Sequence, residues 1–157
     1  MLSEEVLQDV GLPLAGCRVL EHSRTAAAAY AGRLLAAMGA TVVMAEPPAG
    51  STLRSAPPLL EGTTHSALFA YLAAGKRSLV CDLSGAVGQG RLERELELSE
   101  ILIDDTPVGA RPDHRLDQDS LAKRFPHLVQ TAGSSALNDP RSPAQPPADR
   151  NRLSRRS

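Results

Sequence analysis

Short apolar runs alternate with longer helical stretches along this chain. Cys17 to Glu21 (CRVLE) follows Gly16 and reads as a first buried strand. His22-Ser23-Arg24-Thr25 is a turn in which Ser23 or Thr25 would cap the next element. Ala26 to Met38 is a strong helix by propensity, with Leu34, Leu35 and Met38 on one face and Gly39 at its end. Thr41 to Ala45 is a second strand, stopped by Pro47-Pro48. A loop rich in Pro, Gly, Ser and Thr covers 49–65. A short helix from Ser66 to Ala74 follows and closes at Gly75. Ser78 to Leu83 is a third strand, and Ser84 is placed to cap a helix from about Val87 to Leu98. Ile101 to Ile103 opens a fourth strand that ends at Asp104-Asp105. Leu121 to Phe125 is a helical turn, and Leu128 to Thr131 a fifth strand.

The strands are continuous apolar runs without period-2 alternation. Such strands are buried on both faces, which predicts an α/β domain with a doubly wound parallel sheet. After about Leu137 the pattern stops. NDPRSPAQPPADRNRLSRRS carries prolines and arginines and little to bury, so 138–157 is expected to be a disordered tail. The resulting division is a lead-in at 1–12, one domain at 13–137 and the tail.

Composition narrows the chemistry. The chain has 157 residues, enough for one domain with a core, and a net charge of −1. That balance gives no electrostatic case for nucleic acid or a membrane surface. The two cysteines, Cys17 and Cys81, fall in expected strands and read as free thiols of a reducing compartment. The acidic start MLSEEVLQDVG lacks the apolar region of a signal peptide, and no run is long enough to span a bilayer; a soluble cytoplasmic protein is expected.

Known motifs are missing where they would be needed. A dinucleotide site requires G-x-G-x-x-G after the first strand, but here HSRTAAAAYAG follows Glu21. Glu46 stands where a ribose-binding acid would, yet without those glycines NAD is not expected. No P-loop occurs. Four scattered histidines (His22, His65, His114, His127) show no ligand spacing, so no metal is expected. Asp82, Asp104 and Asp105 lie at strand ends, where α/β sheets place their sites, but carboxylates there also cap helices and turns. The most informative polar stretch is Gly75-Lys76-Arg77-Ser78: two cations between a glycine and a strand can grip phosphates, or simply form a solvated turn.

Four stretches in order and spacing are PLAGCRVLEHSR, YAGRLLAAMGATVVMAEPPAGSTLRSAPPL, ALFAYLAAGKRSLVCDLSG and SEILIDDTPVG. Together they resemble the N-terminal part of the family III CoA-transferases over about 13–133. That family includes formyl-CoA and carnitine-type CoA-transferases and α-methylacyl-CoA racemases. The resemblance implies a Rossmann-like domain that takes coenzyme A or acyl-CoA as substrate without a glycine-rich loop. It implies that Thr25 and Ala26 lie beside the CoA and that Leu72, Ala74, Gly75, Lys76 and Arg77 line its nucleotide end. It also implies that the turn Thr106 to Gly109 touches the pantetheine or pyrophosphate.

The chain also departs from the family. Ala28-Ala29 replaces a usual Gly-Pro, and Thr106-Pro107-Val108-Gly109 replaces a usual F-R-P-G turn, so a ligand-contacting arginine is missing there. The family's nucleophilic aspartate would follow a Gly-rich stretch after the fifth strand. Gly133-Ser134 looks like a remnant of that stretch, and neither Asp139 nor Asp149 is assigned the nucleophile. The expected inherited activity is therefore CoA transfer between an acyl-CoA and a carboxylic acid, with no catalytic residue in this chain and no turnover by it alone. The alternatives are a non-catalytic CoA-binding or regulatory subunit paired with a second chain that supplies the missing domain, or a decayed fragment.

Overall fold

The structure, a computed structural model, describes residues 11–132. Residues 1–10, Gly133-Ser134, Asp139, Asp149 and the tail at 138–157 lie outside the described residues.

Five strands form one parallel sheet. They are β1 (Arg18–His22), β2 (Thr41–Glu46), β3 (Arg77–Val80), β4 (Ile101–Asp104) and β5 (Val129–Ala132). Their spatial order is β3-β2-β1-β4-β5, and every pairing is parallel. The helices are α1 (Ala26–Ala37), α2 (Ala67–Ala73), α3 (Ala86–Leu98) and α4 (Gln118–Arg124). The expected doubly wound α/β domain is thus present, with each predicted strand recovered to within a few residues.

Alternation along the strands divides the core. Leu20 and Leu102 face one side, with Leu92 and Leu96 of α3, Leu121 of α4 and Phe125. Val19, Val42 and Ile103 face the other, against Ala28, Leu35 and Ala36 of α1. A third cluster of Ala29, Leu53 and Leu72 glues α2 to α1. Leu20, Leu96, Leu102 and Leu116 are all fully buried, each contributing roughly 1.5–3 kcal/mol of transfer free energy. With almost no aromatics available, the core is built from such aliphatic contacts.

The ends of the helices follow their capping residues. Thr25 caps α1 by accepting from the Ala28 N–H. Gly39 takes φ +100° after it, a left-handed turn that glycine adopts without strain. Ser66 caps α2 through the Phe69 N–H.

Three local expectations are corrected. Ser84 does not cap α3; its hydroxyl bonds Asp82, and the cap position is Gly85 without a side-chain bond. Cys17 precedes β1 and Cys81 follows β3; both are free thiols, Cys81 buried and Cys17 half-buried. On α1, Leu34 and Met38 point outward, 45% and 38% exposed, while Ala29 and Gly32 are buried. The reason is close approach, since small residues let α1 lie against the strand ends and α2.

Candidate functional site

The topology reverses direction between β1 and β4, and in open parallel sheets the crevice at such a point, beyond the carboxyl ends of the strands, is where ligands bind. The register sets His22 opposite Asp104 there, and Glu21 opposite Met44 of β2.

Glu21 is buried at the end of an otherwise apolar strand. Its Oε2 accepts a 2.6 Å bond from Lys76 Nζ, which also donates to the Ala29 carbonyl at 2.7 Å. Both side chains are sealed from solvent, at 0% and 1% exposure. Burial pushes the Glu21 carboxyl up, opposed by the Lys76 contact. Burial likewise pushes the Lys76 ammonium down, opposed by Glu21. Gly32 makes the room: a Cβ there would lie 1.8 Å from Glu21 Oε2 and 3.1 Å from Lys76 Nζ.

Asp105, just past β4, clamps the start of α1. Its carboxylate accepts from the Arg24 N–H at 2.8 Å and the Thr25 N–H at 2.7 Å. The positive end of the helix therefore already holds an anion belonging to the protein. Beside it, the fully buried Asp104 accepts from His22 Nδ1 at 3.2 Å and from the Thr106 N–H at 3.0 Å, while Arg111 Nε lies 3.1 Å from its other oxygen. Burial works to raise the Asp104 carboxyl, but the bonds from His22 and Thr106 outweigh it and hold it below its ordinary value.

Glu46, at the end of β2, has its own partners. Arg54 grips it with two 2.8 Å bonds, Ser78 donates at 2.6 Å, and the Ser51 N–H at 2.8 Å. The Arg54 bonds, against burial, hold its pKa down to about 2. A small cavity between these strand ends is lined by Glu21, Ser23, Glu46, Phe69 and Leu72, among others.

The residues singled out in the sequence fall into two groups. Thr25 lies on Asp105 and Thr106 on Asp104, Ala26 packs against the Ala29, Leu53 and Leu72 cluster, and Gly109 follows in an exposed turn. Leu72, Gly75 and Lys76 lie against another flank of α1, where Gly75 approaches Ala36, with Ala74 beside them and Arg77 opening β3 opposite Val43. Lys76 joins the two groups by reaching to Glu21. Its ammonium is turned inward, whereas Arg77, Ala74 and Gly75 are exposed. Leu72 and Thr106 are 3% and 2% exposed and so shape the site from beneath. Sequence reasoning missed two supporting residues, Gly32 and Arg111; Asp105 was already named among the strand-end carboxylates, and here it caps the start of α1. The glycine inside an alanine-rich helix was the one readable signal, since such a glycine has a packing reason. Among the described residues, no group of three or more His, Cys, Asp or Glu is arranged to hold a metal. No helix among them is long and apolar enough to cross a membrane.

A five-stranded parallel sheet with this order, with polar groups gathered at its reversal point, defines a Rossmann-like α/β domain. The profile of CoA-transferase family III matches residues 14–139, and the chain belongs to that family, as its N-terminal part. It is 34% identical over 123 residues to a succinate–glutarate CoA-transferase of Agrobacterium fabrum, covering 74% of this chain and 31% of that protein. It is 29% identical over 127 residues to a succinyl-CoA:mesaconate CoA-transferase of Haloarcula hispanica, covering 79% of this chain and 32% of the relative. Among solved structures, a CAIB/BAIF family protein from Brucella suis superimposes with a TM-score of 0.71 at 29% identity, over 78% of this chain and 33% of that one. The chain thus spans about a third of the length of these relatives.

Proposed function

We propose that this chain is the coenzyme A-binding part of a family III CoA-transferase. It would hold CoA or acyl-CoA against α1 and the ends of β1 and β4, in a system that transfers CoA between an acyl-CoA and a carboxylic acid. The observation that carries this reading is the family match, which runs through both groups of residues named above. Bound acyl-CoA would supply the thioester that is exchanged.

The residues divide the work by exposure. Arg77 is an exposed cation, suited to a phosphate by a bidentate fork. Gly75, at φ +79°, lets the backbone turn before it without a side chain in the way. Lys76 does not offer its charge to a phosphate in this arrangement; it fixes the Ala74–Arg77 turn to β1 through Glu21. Thr25, Ala26 and Gly109 present the other wall, with Thr106 beneath it; Asp105 holds the Thr25 N–H and Asp104 the Thr106 N–H. The nucleophile is assigned to no described residue, so the chain by itself is expected to bind without turnover. The expected partner in catalysis is a second chain or segment that carries the remaining domain.

Calorimetric titration with coenzyme A tests the reading. Micromolar binding, weakened about tenfold or more by Arg77→Ala, supports it; loss of one charged phosphate contact is worth about 1.5–3 kcal/mol. Absence of heat at millimolar CoA, with the chain folded by circular dichroism, would refute it.

A further inference from the structure

His22 and Asp104 form a pair at the reversal point to which the binding reading gives no task. The register sets them side by side at the carboxyl ends of β1 and β4. Asp104 is fully buried, and its Oδ1 accepts the Thr106 N–H at 3.0 Å. An ionised carboxylate only accepts, so the 3.2 Å contact with His22 Nδ1 is an N–H donating to it. Thr106 Oγ1 stands 3.2 Å from the same nitrogen. The proton of the neutral ring is therefore on Nδ1, and Nε2 carries a lone pair. Nε2 lies across the ring from these contacts and has no hydrogen-bond partner among the described residues, and the His22 side chain keeps 15% of its surface exposed.

The other charged groups at these strand ends are matched. Asp105 takes the Arg24 and Thr25 N–H groups, Arg111 faces the second oxygen of Asp104, and Lys76 is sealed against Glu21. His22 Nε2 is thus the base that this end of the sheet offers to a ligand. On the binding reading, the nucleotide lies towards Arg77 and the pantetheine arm runs along α1 to the wall of Thr25 and Thr106. That arm ends in a thiol, and Thr106 touches His22. A free alkyl thiol titrates at about 8.5, so it is mostly protonated at neutral pH, whereas the thiolate is the nucleophile.

We propose that His22 accepts the proton of the coenzyme A thiol, so that this domain holds free CoA as its thiolate. The S–H bond breaks, its electron pair stays on sulfur, and the proton bonds to Nε2. The product is a thiolate beside an imidazolium, the pairing that activates cysteines next to histidine. Asp104 is a positioning residue: it fixes the tautomer and stabilises the imidazolium. In the opposite direction the imidazolium returns the proton to a departing thiolate. The proposal rests on the reading of this domain as a CoA site and adds the ionisation state of its ligand.

Ultraviolet absorbance of the thiolate tests it on the full chain, at CoA concentrations that calorimetry shows to be saturating for each variant. Protein saturated with acetyl-CoA, which has no thiol proton, is the reference and cancels Cys17 and Cys81. From about pH 6 to about pH 10, bound CoA is expected to ionise at least one pH unit below free CoA, about a tenfold larger thiolate fraction near neutrality. His22→Gln should return the midpoint to that of free CoA, and Asp104→Asn should raise it part of the way, each with an unchanged circular dichroism spectrum. His65→Gln, an exposed histidine in the loop before α2, should leave it in place. Bound CoA that titrates as in water, or a lowered midpoint that His22→Gln retains, overturns the proposal and leaves the binding reading standing. No calorimetric binding by the wild-type chain overturns both.

Discussion

Replacing Gly32 by alanine should destabilise this protein, against the ordinary preference of helices. In the interior of a solvated helix, Gly→Ala stabilises by about 1 kcal/mol. At position 32 the added methyl would lie 1.8 Å from Glu21 Oε2 and 3.1 Å from Lys76 Nζ. Glu21 cannot retreat, because it rests between the sheet and α1 at 1% side-chain exposure. The 2.6 Å ion pair must therefore open, and breaking a buried pair costs about 3–5 kcal/mol. Subtracting the gain in propensity leaves a net loss of roughly 2–4 kcal/mol, a large share of the stability of a domain this size. Urea unfolding followed by far-ultraviolet circular dichroism would show it as a lower midpoint with an unchanged slope. Gly90→Ala is the matched control. Gly90 also sits inside a helix, but its Cβ would meet nothing within 4 Å, so this variant should be neutral or up to about 1 kcal/mol more stable. Gly32→Ala with stability equal to or above wild type would refute the account of Gly32 as space for the buried pair.

Two further outcomes follow from the strand ends. The Glu46 carboxyl is held down to about 2 from an ordinary 4.5, so its stabilisation is complete above about pH 4.5 and is lost as pH falls towards 2. Screening of the half-exposed Arg54 limits this to about 2 kcal/mol, and Glu46→Gln should flatten the acid limb of stability against pH by that amount. Asp105→Ala strips the acceptor from the Arg24 and Thr25 N–H groups; it should cost about 2 kcal/mol and speed exchange of those two amide protons, as read by NMR, while the amides of β1 stay protected.

The strand positions and the parallel sheet were legible because each strand is a continuous apolar run bounded by Gly, Pro or Asp. The family was legible because four stretches keep its order and spacing. What escaped was the direction of side chains. GKRS reads as two cations side by side, but consecutive residues entering a strand point opposite ways. One ammonium therefore turns inward to a carboxylate 55 residues earlier, and the other cation stays outside. Counting apolar residues puts Leu34 and Leu35 together, though neighbours on a helix are 100° apart and only Leu35 reaches the core. Asp105 as a clamp needed knowledge that β4 lies beside β1, and nothing local in DDTP announces that.

The central pairing of the sheet joins strands that are distant in the chain: Val19 faces Ile101 and His22 faces Asp104. On the ribosome, β1, α1 and β2 emerge early, yet β1 waits with one edge unpaired until some eighty more residues have been made. Closing so long a loop is entropically costly and slow. During that interval Leu20, which ends at 0% exposure against α3 and α4, lacks its cover. The nascent protein is thus most open to chaperone capture, or to pairing with a neighbouring chain, in the window between synthesis of β2 and release of β4.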